Sequence, residues 1–394
     1  MVDVGMISVV GVLGLFALLA MGLEVAFTLG FLGLIGLYFT LGHGAPETGV
    51  RELGAVGAIF FTNSNSFVLT AIPLFVLMGA FLLHSGLGAT LFDAGMKWFG
   101  WLPGGPIVGT IAANAVFGAI TGSSTAAAAT FGTVAMPELI RQGFNRQVVK
   151  GAIASAGTLA ILIPPSVTMI IYGAMTEQSI GRLFIAGAIP GLVLGTLFSI
   201  YTIGLAMARP AWCPTSIGVR WRARLLAIKD LVPAIVLIVA VLGGIYLGVT
   251  TPTEAAAVGA FCAMLLAMLN RRLTLPVLES ALLDAARTTS MIMFIVVSAL
   301  IAGHVITKLG VPLAINDAIR AANLSPWTVF WLLCGIYLIL GMLIDSVSMI
   351  VMTLPLVGPL VQGLGFDMIW YGVVVVVLVE LSLITPPVGL NLRA

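Results

Sequence analysis

Two long apolar stretches of the sequence are each interrupted in the middle by small polar residues. Residues 106–136 contain Thr121-Gly122-Ser123-Ser124-Thr125, and residues 326–361 contain Asp345-Ser346-Val347-Ser348. A continuous membrane-spanning helix would not place hydroxyl groups at mid-depth, where water cannot satisfy them. We therefore predict that each stretch forms a re-entrant hairpin of two half-helices that meet at a polar tip. The alternative for the hydroxyl groups is plain packing, because small residues let helices approach closely.

A pair of prolines lies within an apolar segment in each half of the chain. Pro164-Pro165 interrupts residues 148–171, and Pro386-Pro387 interrupts residues 369–390. Adjacent prolines remove two amide donors and leave the carbonyl oxygens upstream without partners. Such oxygens, with hydroxyl groups nearby, suit a hard cation such as Na⁺. The alternative is a simple kink at each pair.

Acidic residues are rare in the apolar segments. Asp345 is the only one at either tip, and an intramembrane carboxylate is a functional candidate because its burial is costly unless it is paired. The alternative is a tip that faces a watery cavity. Glu24 and Glu254 stand at the start of apolar segments, where a carboxylate favours the positive end of the helix dipole. For these two we expect capping rather than transport.

The composition indicates that all of these residues lie in a membrane protein. Of 394 residues, 60% are hydrophobic and 8% are charged, whereas a soluble domain carries about 25% charged residues. This excludes a soluble enzyme and a disordered chain, and a net charge of +2 offers no basic face to nucleic acid. The sequence predicts an all-α polytopic membrane protein. Besides the two hairpins, the expected crossings are 6–21, 24–41, 67–84, 148–171, 183–207, 231–249, 254–269, 288–306 and 369–390.

Two further segments are too polar to cross a membrane. Residues 46–66 end in Thr62-Asn63-Ser64-Asn65-Ser66, and residues 273–288 carry both acidic and basic side chains. Two interpretations remain open for each segment. It is either a plain loop or an amphipathic helix at the membrane interface that links two moving parts.

Landmarks of the first half recur in the second half in the same order and at a nearly constant offset. Gly118 matches Gly341, and the first proline pair matches the second. One match is uninformative, but an ordered series is the signature of an internal repeat. The predicted organisation is a first repeat over residues 1–208, a basic linker over 209–229 and a second repeat over 230–394. By this repeat, a helix equivalent to residues 183–207 is expected after Pro387 and is missing from the sequence.

The two repeats are predicted to have opposite orientations in the membrane. The first contains an odd number of full crossings, which places the second upside down. The positive-inside rule agrees with this arrangement. Arg141, Arg146 and Lys150 follow the first hairpin, whereas the equivalent residues 363–368 carry only Asp367. The basic linker is therefore predicted to be cytoplasmic.

Five sequence blocks carry a family resemblance. They are residues 73–79 (PLFVLMG), 118–137 (GAITGSSTAAAATFGTVAMP), 159–166 (LAILIPPS), 251–255 (TPTEA) and 380–391 (ELSLITPPVGLN). Each block alone is weak, but in this order they are highly specific. Together they resemble the large membrane subunit of tripartite ATP-independent periplasmic (TRAP) transporters.

The resemblance implies a multi-pass secondary transporter of the bacterial inner membrane that imports organic acids, such as C4-dicarboxylates or sugar acids, with the sodium gradient. It implies an elevator-type fold, in which a mobile domain built around the two hairpins moves against a scaffold. The implied partners are a small four-helix membrane subunit, a periplasmic substrate-binding protein and the organic-acid anion. Apart from Na⁺ as the coupling ion, no cofactor is expected.

The resemblance also implies which residues form the binding sites, by match of motif. The first sodium site is expected at Ser123, Ser124, Thr125, Gly157 and Pro164. The second sodium site is expected at Asp345, Ser346, Ser348, Thr385, Pro386 and Gly389. Substrate is expected between the two tips, at Gly122, Ser123, Ser346 and Asn391.

Three other functions compete with this one. A stand-alone sodium/dicarboxylate symporter of related elevator architecture would share these features but would work without a binding protein. An intramembrane enzyme acting on lipids requires paired aspartate motifs or a metal motif such as HExxH, and the sequence contains neither. A channel or a structural scaffold would not need two interrupted hairpins.

Overall fold

The computed structural model describes residues 4–42, 45–214, 221–386 and 389–393, and these residues are mainly helical. Helices of the first half are α1 (Val4–Ala20), α2 (Val25–Ile35, continued by a π-helical segment Gly36–Leu41), α3 (Pro46–Ser64), α4 (Ala71–His84), α5 (Leu87–Phe99), α6 (Gly105–Thr121), α7 (Ser124–Arg141), α8 (Arg146–Leu162), α9 (Val167–Thr176) and α10 (Ile180–Ala208). Helices of the second half are α11 (Trp221–Ile238, continued by a π-helical segment Val239–Gly243), α12 (Gly244–Tyr246), α13 (Pro252–Leu269), α14 (Leu275–Lys308), α15 (Val311–Ala321), α16 (Pro326–Gly341), α17 (Ser346–Gly363), α18 (Met368–Leu383) and α19 (Leu390–Arg393).

The predicted breaks in the apolar stretches are confirmed as breaks between helices. The first stretch divides into α6 and α7 at Gly122, and the second divides into α16 and α17 just before Ser346. At the first proline pair, α8 ends at Leu162 and α9 begins at Val167. Before the second pair, α18 ends at Leu383. Pro387, the second member of that pair, lies outside the described residues, as do residues 215–220 of the predicted linker.

The loop interpretation of the two polar segments is wrong. The first segment forms α3, which has Pro46 at its first turn and Glu47 beside it, both favourable at a helix N-terminus. The second segment forms the beginning of α14, a continuous helix of 34 residues. At 1.5 Å per residue this helix is about 51 Å long, longer than the roughly 30 Å of a hydrocarbon core. The polar beginning of α14 therefore extends beyond the apolar layer.

Several helices have the length and composition of membrane crossings. In the part of the chain that the structure describes, six helical segments are long and apolar enough, or seven if α4 and α5, which meet at a bend of 68°, count as one span. They include the segments predicted at 183–207, 254–269 and 288–306. Shorter apolar helices, among them α6, α16 and α18, have the lengths of half-helices. The chain is thus an all-α polytopic membrane protein.

One expected helix cap is present and the other is not. The Thr251 amide and hydroxyl both donate to Glu254 Oε2, at 2.7 and 2.8 Å, and the Glu254 amide donates back to the Thr251 hydroxyl. This reciprocal pair is a capping box at the start of α13. Glu24 stands at the N-cap of α2, but its side chain makes no capping hydrogen bond.

The chain divides into two compact units. The first unit comprises Met1–Leu69, Ile171–Gln178 and Thr288–Ser382, and the second comprises Thr70–Ile170, Ser179–Arg287 and Leu383–Ala394. Each unit combines segments from both predicted repeats. The first hairpin belongs to the second unit, and the second hairpin belongs to the first unit.

Small residues permit close helix packing within each unit. In the first unit, a Cβ atom at Gly33 would lie 2.8 Å from Ile301 and one at Gly36 would lie 2.7 Å from Val305, so α2 packs tightly on α14. In the second unit, Gly95 and Gly109 face each other where α5 meets α6. Such contacts account for part of the glycine content, which is 46 of 394 residues, because helices in a membrane associate through close packing of small residues.

Candidate functional site

The tip of the first hairpin ends in a helix N-terminus lined by hydroxyl groups. Gly122 has a φ of 64°, a left-handed conformation that glycine adopts without steric cost, and it reverses the chain after α6. Ser123 is the N-cap of α7, and its hydroxyl accepts a hydrogen bond from the Ala126 amide at 3.4 Å. The hydroxyl oxygens of Ser123 and Thr125 lie 3.3 Å apart. The tip therefore presents two neighbouring oxygens beside the positive end of a helix.

This tip lies directly against the break at the first proline pair. A Cβ atom on Gly122 would lie 3.2 Å from the Pro165 carbonyl oxygen and 3.4 Å from the Val167 amide nitrogen. The hairpin tip and the break that follows α8 thus meet within the second unit. Pro164, one of the predicted sodium ligands, directly precedes Pro165 in the sequence.

Asn391 lies beside the same hairpin tip, although it is far away in the sequence. The Ser124 hydroxyl donates to Asn391 Oδ1 at 3.2 Å. On α8, a Cβ atom at Gly157 would lie 3.1 Å from the Ser124 carbonyl oxygen and 3.5 Å from Asn391 Nδ2. The second unit therefore brings together three residues that the resemblance assigns to the first sodium site or to substrate. We call Ser124, Gly157 and Asn391 the tip cluster.

The tip cluster is buried and has unused hydrogen-bonding capacity. Ser124 is 2% exposed and Asn391 is 4% exposed. The Nδ2 atom of Asn391 is buried, and it has no hydrogen-bond partner among the described residues. Its two N–H groups, together with the N-terminus of α7, suit an anionic group such as a carboxylate. The hydroxyl and carbonyl oxygens around them suit a hard cation.

At the tip of the second hairpin, Asp345 acts as the N-cap of α17. Its Oδ2 atom accepts hydrogen bonds from the Val347 and Ser348 amides, each at 3.1 Å. These two amides and the helix dipole stabilise the carboxylate charge. Asp345 and Ser346 are half-buried, and Ser348 is buried. Both amide hydrogen bonds of the cap go to Oδ2, so the cap does not use the Oδ1 atom of Asp345.

The residues predicted for the second sodium site are divided between the two units. Asp345, Ser346 and Ser348 belong to the first unit, whereas Thr385, Pro386 and Gly389 belong to the second. Gly389 has a φ of 52°, which only glycine adopts easily. The site as a whole therefore remains a prediction.

The two hairpins make matching close contacts with the helices before the proline pairs. A Cβ atom at Gly118 would overlap Ala160, since it would lie 2.7 Å from the Ala160 Cα atom. In the other unit, a Cβ atom at Gly341 would overlap Ser382. Gly118 and Gly341 are partners in the predicted repeat, and Ala160 and Ser382 stand at equivalent places before the two proline pairs.

Glu380 is a buried carboxylate that the sequence reasoning did not single out. It is 2% exposed on α18, and neither carboxylate oxygen has a hydrogen-bond partner among the described residues. The signal was present, because Glu380 is the only charged residue in α18. An acidic residue within an apolar helix is a functional candidate, because burying a carboxylate there costs free energy.

Comparison with known proteins shows the family to which the chain belongs. A family profile described as "Tripartite ATP-independent periplasmic transporter, DctM component" matches residues 12–394. The chain is 37% identical over 333 residues to the C4-dicarboxylate TRAP transporter large permease protein DctM of Pseudomonas aeruginosa, covering 84% of this chain and 78% of the relative. It is 35% identical over 383 residues to the protein of the same name from Vibrio cholerae, covering 92% and 83%.

A relative with a different stated substrate is similar to the same degree. The chain is 34% identical over 331 residues to the 2,3-diketo-L-gulonate TRAP transporter large permease protein YiaN of Escherichia coli, covering 83% of this chain and 77% of the relative. The chain therefore belongs to the DctM component family of tripartite ATP-independent periplasmic transporters, whose members are permease subunits of the bacterial inner membrane and not enzymes.

Proposed function

We propose that this chain is the large membrane subunit of a sodium-coupled transporter that imports an organic-acid anion. A periplasmic substrate-binding protein delivers the anion, and a small four-helix membrane subunit supports the large one. The substrate class is a C4-dicarboxylate, a sugar acid or a similar acid, which agrees with the names of the relatives.

The tip cluster is the observation that carries this proposal. The unpartnered Asn391 amide and the N-terminus of α7 offer N–H donors to a carboxylate group. The nearby oxygens of Ser123, Thr125 and Ser124 offer ligands to Na⁺ without a buried counter-charge. An anion and a cation bound side by side would stabilise each other in a site of low dielectric constant. This explains why substrate and sodium would bind together.

The second hairpin supplies the second sodium site in this proposal. Asp345, Ser346 and Ser348 are the ligands on the hairpin side, and Thr385, Pro386 and Gly389 are the ligands at the second break. The matched contacts at Gly118 and Gly341 support two structural repeats of the same design. Two repeats in opposite orientation around one substrate site are the arrangement of alternating-access transporters. The proposal also includes an elevator-type movement of a mobile domain built around the two hairpins.

The test is uptake of labelled organic acids into proteoliposomes that contain this chain and the small subunit. Uptake is expected only with an inward Na⁺ gradient and with the binding protein present. Uptake that persists at full rate without the binding protein would favour the stand-alone symporter. Uptake driven equally well when K⁺ replaces Na⁺ would contradict sodium coupling.

Asn391→Asp provides a sharper test of the tip cluster. This change keeps the size of the side chain, removes both N–H donors and adds a negative charge. The KM for substrate is expected to rise about tenfold or more, since a lost charge-assisted hydrogen bond costs roughly 1.5–3 kcal/mol. Asn65→Asp, on an exposed residue after α3, is the matched control and should leave KM unchanged. An unaltered KM in Asn391→Asp would remove this residue from the substrate site.

A further inference from the structure

A second cluster of unpartnered donors lies in the second unit, where the end of α5 meets the beginning of α11. The Trp98 and Trp221 rings pack edge to face, with centroids 6.4 Å apart. The Arg224 guanidinium lies 5.7 Å from the Trp221 ring centroid and 6.0 Å from that of Trp101. We call these four side chains the tryptophan–arginine cluster. Cation–π contacts of this kind hold the guanidinium in place.

Two N–H donors of this cluster lack an acceptor in the described part of the chain. Both Trp98 Nε1 and Arg224 Nε are buried from solvent, and neither has a hydrogen-bond partner among the described residues. Buried donors are nearly always paired in folded proteins, so two of them around the same indole ring indicate a missing acceptor. One donor belongs to a cation that prefers carboxylate and phosphate oxygens, which favours an anion as the acceptor.

The location of the cluster specifies the kind of anion. Within the apolar span Trp221–Tyr246, only 22% of an 18-residue apolar stretch is buried within the protein. Its face carries exposed apolar side chains such as Leu226, Val232 and Val236, which suit lipid chains. Trp221 and Arg224 occupy the first turn of this span, the level at which tryptophan and arginine meet the lipid headgroups. Trp101 and Trp221 are each 61% exposed, so the cluster is open to that layer.

The local charge balance favours a negatively charged headgroup. Asp230, an acidic residue further along α11, lies 3.9 Å from Lys97 Nζ and is therefore offset by that lysine. Arg224 thus carries a positive charge in the first turn of α11 that this ion pair does not offset. Basic side chains beside a membrane segment attract anionic lipids.

We propose that the tryptophan–arginine cluster binds the phosphate group of an anionic phospholipid. Arg224 and Trp98 donate to the phosphate oxygens, and the exposed apolar face of α11 contacts the acyl chains. Because both donor atoms are buried, the exposed rings of the cluster turn aside when the phosphate enters, and the lipid then fixes the end of α5 against the beginning of α11.

Native mass spectrometry of the purified, delipidated protein in detergent tests this proposal. The protein is titrated separately with phosphatidylglycerol, phosphatidylcholine and inorganic phosphate. Phosphatidylglycerol is expected to bind at least tenfold more tightly than the other two. Equal binding of phosphatidylcholine would overturn the role of charge. Binding of inorganic phosphate as tight as that of phosphatidylglycerol would overturn the assignment to a lipid.

Single substitutions locate the binding site. Arg224→Gln should weaken phosphatidylglycerol binding about tenfold, and Trp98→Phe, which removes only the indole N–H, should weaken it about threefold. Arg222→Gln is the matched control, since Arg222 is exposed on the same turn and has no aromatic ring contact among the described residues. Equal loss in Arg224→Gln and Arg222→Gln would overturn the proposal. If Arg224→Gln does not fold, the conservative Trp98→Phe decides, and unaltered binding there would overturn it as well.

Discussion

Asp345 has two separable roles at the tip of the second hairpin, as a helix cap and as a sodium ligand. Asparagine caps a helix as well as aspartate does, so Asp345→Asn removes the charge and keeps the two amide hydrogen bonds. The sodium concentration for half-maximal uptake is expected to rise roughly tenfold, equivalent to about 1.4 kcal/mol. Asp345→Ala should in addition lower the stability by about 1 kcal/mol, because the cap is lost.

The matched control for Asp345→Asn is Asp367→Asn. The Asp367 carboxylate also caps a helix, since the Trp370 amide donates to it at 2.7 Å, but it lies at the opposite end of α17. Sodium dependence should be unaltered in this variant. If Asp345→Asn expresses normally and transports with the sodium dependence of the wild type, Asp345 is only a cap.

A second single-residue test concerns the buried carboxylate of Glu380. Replacing an unpaired buried polar group by an apolar one of similar shape removes its desolvation cost. Glu380→Met is therefore expected to increase the stability by about 1–3 kcal/mol, measured by thermal denaturation in detergent, and to reduce uptake, the usual cost of removing a functional polar group. Glu279→Met, on an exposed position of α14, should change the stability by less than about 0.5 kcal/mol. A lower melting temperature in Glu380→Met would mean that the carboxylate has a stabilising partner.

At the scale of the helices, the hairpins pack closely at glycines, where a side chain would not fit. Gly118→Ala should destabilise the protein by about 1–3 kcal/mol, because the new methyl group overlaps Ala160. The double variant Gly118→Ala with Ala160→Gly removes the clash between the two methyl groups but leaves the new methyl group 2.7 Å from the Cα atom of residue 160, so it should recover only part of the loss. Thermal denaturation measures both.

Two other glycines provide controls for this packing. A Cβ atom added at Gly151 on α8 or at Gly335 on α16 would have no atom within 4 Å apart from those of its own helix turn. Alanine at either position should therefore be neutral or stabilising by up to about 1 kcal/mol, the difference in helix propensity. A loss of stability at Gly151 equal to that at Gly118 would show that helix backbone effects, and not interhelical overlap, explain the result.

At the scale of the whole molecule, the inverted repeats predict the sides of two loops. In a background without Cys213, Cys262 and Cys334, we expect a membrane-impermeant maleimide applied from the periplasmic side to label Gly363→Cys and not Arg222→Cys. Both positions are exposed. Permeabilised cells should label both and so report expression. Labelling of Arg222→Cys alone from the periplasmic side would contradict the inverted arrangement.

Much of the fold was predictable because it depends on local chemistry. Apolar runs, proline pairs and hydroxyl clusters determine where helices begin and end, so the breaks near Gly122, Leu162, Asp345 and Leu383 follow from the sequence. The helical structure of residues 46–66 and the continuity of α14 did not follow. Their polar side chains are compatible with a loop as well as with a helix, and contacts such as that of Glu52 with Lys308, 3.9 Å apart, are invisible in a local pattern.

The sequence by itself determined that this is a polytopic helical membrane protein with two interrupted hairpins, since burial of apolar side chains and satisfaction of backbone amides leave few other solutions. Only the tertiary structure decided which distant residues share a site. Ser124 and Asn391 meet because Gly157 lets α8 approach the hairpin tip, and Trp98 meets Trp221 where α5 packs on α11. Such pairings depend on the close packing of whole helices, and no local spacing encodes them.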